Sequence, residues 1–199
     1  MKTPVLLVHG IWDTGKKFKR LKSYLEERGY EVVTVDLKPN TGKASLAELA
    51  KRLDEFVNKN FPSHKFDIIA FSMGGLVSRH YLQYMDGASR VNRFISISSP
   101  HHGTFTANVY ALVTKFFHFK GVPEMCWQSR FVRKLNSDAS CLRKLNFTSL
   151  WTPWDLMIVP SFSSVHPDAY NIRIFSWAHP LMLWNKNVFR IIENKLSEK

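Results

Sequence analysis

Short runs of β-branched and aromatic residues alternate along the chain with longer stretches in which apolar residues recur every three or four positions. The short runs fit buried strands and the longer stretches fit amphipathic helices, a succession typical of βαβ units around a parallel sheet. The runs that predict strands span residues 4–9, 31–36, 66–71, 91–98, 148–152 and 172–177. The stretches that predict helices span residues 15–28, 44–60, 73–86 and 185–196. The pattern therefore predicts an α/β fold with a minimal six-stranded, mostly parallel sheet and helices on both of its faces.

A long segment between the fourth and fifth predicted strands interrupts this succession. Residues 100–146 contain no predicted strand, and insertions of this length in α/β domains are usually functional loops or caps. The first part of the segment carries an apolar stripe at helical spacing, formed by Val109, Leu112, Val113, Phe116 and Phe117. The stripe fits either a helix packed on the sheet or a wall or lid over an acyl pocket. The length of 199 residues predicts a single domain spanning residues 1–199, with 100–146 as a lid or pocket-wall insertion.

The composition is that of a globular chain with an excess of positive charge. Apolar residues make up 45% and charged residues 22%, which excludes the disordered and fibrous classes. Lys and Arg number 28 against 16 Asp and Glu, giving a formal net charge of +12. Part of this excess lies at the start of the first predicted helix, in Lys16, Lys17, Lys19, Arg20 and Lys22. Cations there oppose the helix dipole, so the run either solubilises the surface or docks the protein peripherally on an anionic membrane. Nucleic acid is not expected as a partner, because no recognition motif accompanies the charge.

The two cysteines predict neither a disulfide framework nor a metal site. Cys126 and Cys141 form no C-x-x-C pair and no zinc spacing, so we expect them to be buried thiols. No apolar run approaches the length of a membrane span, and the first ten residues lack the apolar core and cleavage site of a signal peptide. The sequence therefore predicts a cytoplasmic protein. Within the cytoplasm, peripheral contact with a membrane is the alternative to a protein that is free in solution.

The third predicted strand ends in a serine that a helix follows at once, within Ala70-Phe71-Ser72-Met73-Gly74. A nucleophile elbow of this kind holds its serine in a strained backbone conformation, so the residues two before and two after it must be small. Ala70 and Gly74 meet that requirement, although the consensus G-x-S-x-G opens with glycine. Ser72 is the predicted nucleophile, at the carboxyl edge of the sheet and the positive end of the following helix. The alternative is an ordinary serine N-cap.

A serine nucleophile needs a general base and an acid that orients the base. Asp155 lies just past the fifth predicted strand, and His179 lies in the loop after the sixth. Both positions return to the edge of the sheet where Ser72 lies, so we predict Asp155 as the acid and His179 as the base. Asp168, just before the last strand, is the rival acid, and Asp138 in the insertion is a weaker one.

Two further features follow strands at the same edge. The turn after the first strand is predicted to supply one oxyanion donor, the backbone N–H of Ile11, and Met73 directly after the nucleophile supplies the other. His101 and His102 follow the fourth strand but precede the acid in the chain. We interpret them as supporting or pocket-shaping residues. No metal site is expected at this histidine pair, because no carboxylate or cysteine lies at ligand spacing nearby.

Four motifs together resemble the lipase and esterase branch of the α/β-hydrolase superfamily, and in particular small bacterial lipases whose elbow also opens with alanine. The motifs are Val8-His9-Gly10, Ala70-x-Ser72-x-Gly74-Gly75, Ser99-Pro100-His101-His102-Gly103-Thr104 and Asp155-x-x-Ile158-Val159-Pro160. The resemblance implies a minimal core without the first two strands of the family, a Ser72, Asp155, His179 triad, an acyl-enzyme intermediate and no cofactor. Because the superfamily also includes thioesterases, acyltransferases and peptidases, the resemblance leaves the substrate open.

Aromatic and aliphatic residues flank the predicted catalytic loops and favour an acyl chain as the substrate. The predicted substrate-binding residues are Trp12, Phe71, Phe105, Trp154, Leu181 and Met182. We therefore expect a serine hydrolase of carboxylic esters, with lipid acyl esters as its substrates. The alternatives are an acyltransferase that uses the same triad and a non-catalytic lipid- or membrane-binding relative. Head group, acyl chain length, lid movement and oligomeric state do not follow from the residues.

Overall fold

The computed structural model describes residues 2–62 and 64–198. Its sheet has six strands, all parallel, in the order β2-β1-β3-β4-β5-β6. The strands are β1 Val5–Val8, β2 Val32–Val35, β3 Phe66–Phe71, β4 Val91–Ile97, β5 Asn146–Trp151 and β6 Tyr170–Arg173. The predicted fold class is confirmed, and the carboxyl ends of β1, β3, β4, β5 and β6 meet at one edge.

Seven α-helices accompany the sheet within the described residues. They are α1 Lys19–Glu26, α2 Leu46–Asn60, α3 Met73–Tyr84, α4 Phe105–Val113, α5 Gly121–Glu124, α6 Arg130–Ser137 and α7 Lys186–Ser197. Short 3-10 helices cover Gly15–Phe18, Gly87–Ser89, Lys115–Phe117, Ser140–Lys144, Ser161–Ser164 and His179–Trp184. Among residues 2–62 and 64–198, no helix has both the length and the apolar character that a membrane crossing requires.

Two apolar cores lie on opposite faces of the sheet, as the alternation of strand side chains requires. In β1, Val5 and Leu7 pack in the core that α1 and α7 cover, whereas Leu6 and Val8 pack in the core that α2 and α3 cover. Because both faces are covered, β3 is buried along its whole length. The predicted pair of helical layers is therefore correct.

The observed boundaries differ from the predicted ones mainly in the first helix and the last strand. The predicted helix over 15–28 begins as a 3-10 turn, in which the Gly15 N–H donates to Asp36 Oδ1 at 2.6 Å. The predicted strand over 172–177 is β6 at Tyr170–Arg173, which begins two residues earlier and ends four residues earlier than predicted. Cys126 and Cys141 are half-buried rather than fully buried, and partial burial raises the pKa of both thiols.

The insertion lies outside the sheet, as predicted, and its apolar stripe does not pack on the sheet. Val109, Leu112 and Phe116 are 65%, 75% and 84% exposed. Instead, α4 crosses above the carboxyl edge, and its residues form one wall of the pocket described below. Later residues of the segment, such as Val132 and Leu135, pack in the core with α2 and α3, and its role as a lid or pocket wall stays a prediction.

Candidate active site

Ser72 joins β3 to α3 in a strained backbone conformation. Its φ of 54° and ψ of −126° lie in a region that non-glycine residues rarely adopt. Its N–H donates to the carbonyl of Ile97 at 2.9 Å, which anchors the turn to the neighbouring strand β4. Although Ser72 occupies the N-cap position of α3, its side chain makes no capping hydrogen bond. The Oγ is therefore left available, which argues against an ordinary N-cap.

The close approach of α3 to β1 explains why the elbow needs small residues. A Cβ at Gly74 would lie 2.5 Å from the carbonyl oxygen of Val8 and 2.7 Å from that of His9. A Cβ at Gly10 would lie 3.0 Å from the Cβ of Ser72. The two carbonyl contacts leave no space for a side chain at Gly74, and a side chain at Gly10 would crowd Ser72.

Asp155 and His179 form a buried hydrogen-bonded pair. His179 Nδ1 lies 2.7 Å from Asp155 Oδ2, and the two residues are 3% exposed. The other carboxylate oxygen accepts the N–H groups of Met157 at 3.0 Å and Ile158 at 2.9 Å. With the carboxylate as acceptor, the imidazole carries its proton on Nδ1 and presents a lone pair at Nε2. That Nε2 has no hydrogen-bond partner among the described residues.

The imidazole of His179 lies beside the elbow. Its ring packs against that of Phe71, the residue before the serine, with 4.6 Å between ring centroids. The rival acids lie elsewhere, since Asp168 precedes β6 and donates its N–H to His166, and Asp138 ends α6. The structure thus brings together the predicted acid and base and packs the base against the residue that precedes the predicted nucleophile.

Two backbone N–H groups near Ser72 are unpaired. Within residues 2–62 and 64–198, neither Ile11 N–H nor Met73 N–H donates to a protein acceptor. Met73 is the first residue of α3, where the helix leaves its N–H free and the helix dipole favours negative charge. The Ile11 turn is braced by His9, whose Nδ1 donates to Gly10 O at 2.8 Å and whose Nε2 accepts the N–H of Leu37 at 2.9 Å. These free donors fit the predicted oxyanion site.

An apolar pocket of about 380 Å³ opens onto Ser72. Its other lining residues come from the Ile11 turn, the β4 loop with α4 and α5, and the Asp155 loop. They are Ile11, Trp12, Pro100, Thr104, Thr106, Ala107, Val109, Tyr110, Val113, Val122, Met125, Leu156, Met157 and Ile158. The described residues also include a polar groove of about 600 Å³ at residues 88–93 and 141–146, but it lies at the amino end of β4, far from Ser72. The Ser72 pocket thus combines a serine hydroxyl with an apolar lining.

Of the six predicted substrate-binding residues, Trp12 lines this pocket. Phe71 and Met182 are buried in the core under α1 and α7 and do not line the pocket. Phe105, Trp154 and Leu181 are exposed by 48%, 47% and 37% but do not line the pocket. Their side chains lie on the protein surface, where Phe105 stacks on Trp127 and Trp154 packs against Trp177.

The prediction missed most of the pocket wall, which α4 and the segment after Asp155 provide. Val109 and Val113 belong to the stripe noted in the insertion, so a signal for them existed. Tyr110 lies between them in the chain and packs edge-on against Trp12, with 5.3 Å between ring centroids. Leu156 and Met157 gave no periodic signal, because they lie in an irregular loop.

His101 and His102 lie beside the site without entering it. His101 is fully buried, its Nε2 lies 2.9 Å from Ser96 Oγ, and burial holds its pKa well below the usual range. Its carbonyl accepts a hydrogen bond from Arg79, which is itself fully buried on α3 and whose pKa burial lowers to about 9. Asn136 lies 3.3 Å from His102 Nδ1. The pair therefore ties the β4 loop to the helices below it, consistent with a supporting role.

A parallel sheet flanked by helices, with a strained serine and an Asp-His pair at its carboxyl edge, defines the α/β-hydrolase fold. The sequence model of the palmitoyl protein thioesterase family matches residues 4–155. The chain belongs to the palmitoyl protein thioesterase family. The matched region includes Ser72 and Asp155 but ends before His179, so the position of the histidine rests on the geometry.

Curated relatives and solved structures agree with this assignment. The lysosomal thioesterase PPT2 of Mus musculus and that of Homo sapiens are each 34% identical over 107 residues, 51% of this chain and 35% of the relative. The match thus spans about a third of the length of these relatives. Lipase BlEst2 of Bacillus licheniformis in its mature form superposes with a TM-score of 0.80 at 19% identity, covering 99% of this chain and 93% of that one. Lipase B of Aspergillus fumigatus gives 0.79 at 18% identity, covering 100% and 53%. At these identities the two structures show the shared fold.

Proposed function

We propose that the protein is a serine hydrolase that cleaves acyl esters and thioesters through an acyl-enzyme intermediate. The observation that carries the proposal is the buried pair of Asp155 and His179, in which Oδ2 and Nδ1 are 2.7 Å apart. Among the described residues the His179 Nε2 has no hydrogen-bond partner, and the strained Ser72 lines an apolar pocket. The pocket volume of about 380 Å³ lies in the range of small-molecule sites. No cofactor is required by this chemistry.

The reaction has two steps, acylation of Ser72 and hydrolysis of the acyl-enzyme. Ser72 Oγ attacks the acyl carbonyl carbon while its proton passes to His179 Nε2, and the N–H groups of Ile11 and Met73 stabilise the oxyanion. The intermediate then collapses, and the leaving thiolate or alkoxide takes that proton from His179. Water repeats the sequence on the acyl-enzyme, which releases a carboxylic acid and restores Ser72.

A thioester is the favoured class of substrate, because the family model is that of palmitoyl protein thioesterases and the curated relatives are named thioesterases. The apolar lining supports an acyl chain as the part of the substrate that enters the pocket. The same relatives are named lysosomal, so the predicted cytoplasmic location finds no support in them. The predicted contact with an anionic membrane remains a proposal.

The test measures hydrolysis of acyl thioesters and p-nitrophenyl esters, from short to long chains, by the wild type and by Ser72→Ala. We expect the substitution to lower kcat by about 10⁴-fold or more, because the triad acts as a unit. Ser98→Ala is a matched control, since Ser98 is also buried with a positive φ of 46° at the end of the neighbouring strand. Its activity should stay close to that of the wild type.

Three other outcomes would contradict part or all of this proposal. Equal loss in both serine variants would assign the effect to the fold rather than to the nucleophile. Acyl transfer to an added alcohol in preference to water would identify an acyltransferase. Failure of a fluorophosphonate probe to label a folded wild type would identify a non-catalytic relative.

A further inference from the structure

The exposed apolar side chains are concentrated at one edge of the molecule. All of the large apolar side chains that the described residues expose, except Tyr170, lie in segments that follow the carboxyl ends of strands. These segments are residues 12, 105–117, 154–162 and 175–184, after β1, β4, β5 and β6 respectively. Isolated exposed apolar residues are ordinary, but a concentration on one face marks an interaction surface.

This carboxyl-edge face extends well beyond the mouth of the pocket. Phe116 and Phe117 are 84% and 67% exposed, and neither lines the pocket. A second aromatic group is formed by Trp177, which packs against Phe175 and Trp154 and is 66% exposed. Both groups lie in segments that leave the carboxyl edge where Ser72 lies, so an occupant that covers both also covers the edge that carries the site.

Unpaired cations border the face. Lys19, Arg20 and Lys186 line one groove at the N-terminal ends of α1 and α7, and the guanidinium of Arg20 lies 5.0 Å from the ring centroid of Trp184. Within residues 2–62 and 64–198, none of these three cations has a carboxylate within 4.0 Å, and the same is true of Lys16. Aromatic rings beside cations are typical of proteins that sit at a lipid headgroup layer.

Carboxylates are scarce on the same loops. Residues 9–20, 98–120, 152–165 and 174–186 contain two acidic residues, Asp13 and Asp155. Asp13 pairs with Lys17 at 3.2 Å, and Asp155 is buried against His179. A second copy docked on this face would bring like-charged borders together, which is unfavourable. An anionic surface that also accepts apolar side chains satisfies both features of the face.

We propose that the carboxyl-edge face docks on a lipid surface containing anionic headgroups, with the Ser72 pocket opening toward the lipid. Trp12, Phe116 and Trp177 enter the interfacial layer, and Lys16, Arg20 and Lys186 meet the headgroups. The orientation rests on the proposed function, since it brings acyl chains to the nucleophile. The binding itself does not depend on catalysis.

The test is co-sedimentation of the full chain, carrying Ser72→Ala, with vesicles of phosphatidylcholine alone or mixed with phosphatidylglycerol. We expect binding to the mixed vesicles, and a loss of about fivefold in the partition coefficient at low salt for each of Lys16→Gln and Arg20→Gln. The double substitution Phe116→Ser with Phe117→Ser should lower it by about tenfold or more. Tyr170→Ser, at a residue of matching exposure on the opposite edge, and Lys59→Gln on α2 should leave it unchanged.

Two readouts separate this proposal from the proposed function. In the background with Ser72 intact, the double phenylalanine variant should hydrolyse a short water-soluble thioester at the wild-type rate, while vesicle binding is lost. If the proposed function fails, hydrolysis is absent and vesicle binding persists. Equal binding by all variants, or binding that is indifferent to phosphatidylglycerol, would overturn the lipid face. The lipid face would also be overturned if the protein had no affinity for vesicles and instead formed a dimer in sedimentation experiments. In that case the double phenylalanine substitution would dissociate the dimer.

Discussion

At the scale of single residues, the site depends on groups that are held in costly environments by several partners at once. Ser72 keeps a positive φ while its N–H is anchored to Ile97, and the absence of a side chain at Gly10 and Gly74 permits the close approach of β1 to the turn. Asp155 is buried and accepts three donors, two from the backbone and one from His179. With that many donors the side chain is fixed in direction.

The orientation of the base, His179, can be tested by a substitution at the acid. Asp155→Asn keeps the shape of the side chain but favours the wrong imidazole tautomer, so kcat should fall by about 10³- to 10⁴-fold with little change in KM. Steady-state hydrolysis of a soluble thioester measures the effect. Asp168→Asn is the control and should retain activity, because Asp168 lies before β6 next to His166. Loss of activity in Asp168→Asn with retention in Asp155→Asn would reverse the assignment of the acid.

At the scale of elements, the helix that walls the pocket is tied to the loop that holds the acid. Thr104, at the start of α4, accepts the N–H of Val159 at 2.8 Å, and Thr106 donates to the carbonyl of Met157 at 2.6 Å. The Phe105 N–H adds a third bond, to the carbonyl of Val159 at 2.8 Å. Since Met157 also donates its N–H to Asp155, a shift of α4 is transmitted to the acid.

The element-scale prediction tests this coupling. Thr104→Val removes the acceptor for the Val159 N–H, so we expect a loss of about 1–3 kcal/mol in the free energy of unfolding. We also expect kcat to fall by about tenfold. Without this hydrogen bond the loop that holds Asp155 can shift, and a small displacement of the acid misorients His179. Urea unfolding and soluble-thioester kinetics measure the two effects. Thr104→Ser keeps the hydroxyl and should restore both values, whereas an unchanged kcat in Thr104→Val would show that the loop holds Asp155 without α4.

At the scale of the whole molecule, buried titratable groups couple stability to pH. Burial lowers the pKa of His166 to about 3 and that of His101 well below its usual range, so both are neutral in the folded protein. The unfolded chain takes up protons on these histidines from about pH 6.5 downward. Their contribution to stability is therefore complete above pH 6.5 and is lost as the pH falls toward 3. Asp67 acts in the opposite direction, because burial raises its pKa to about 6 and folding gains stability as the pH falls from 6 to 3.8.

The prediction at this scale compares the pH dependence of unfolding in two histidine variants. His166→Asn removes one neutral buried imidazole, and its amide oxygen replaces Nδ1 as acceptor for the Asp168 N–H. Between pH 6.5 and 4 the wild type should lose about 3 kcal/mol more than this variant. Urea unfolding at a series of pH values gives the two slopes. His118→Asn, at an exposed histidine, should retain the wild-type slope, and parallel slopes for wild type and His166→Asn would exclude His166 as the source.

The architecture and the chain positions of the candidate triad could be predicted from the residues because they depend on local rules. Continuous apolar runs mark strands buried on both faces, and the size limits around Ser72 follow from the turn itself. The acid and base could be proposed because parallel strands deliver their following loops to one edge. The pocket could not be predicted, since proximity to a catalytic residue in the chain does not determine which way a side chain faces.

The sequence by itself determined the six-stranded α/β fold and the placement of Ser72, Asp155 and His179 in loops at one edge, because strand periodicity and the elbow are encoded within a few neighbouring residues. Only the tertiary structure decided that Asp155 meets His179 and that Met182 is buried in the core. It also decided that α4 stands above Ser72 with its stripe exposed. These outcomes depend on contacts between segments far apart in the chain, where burial is set by the packing of whole elements.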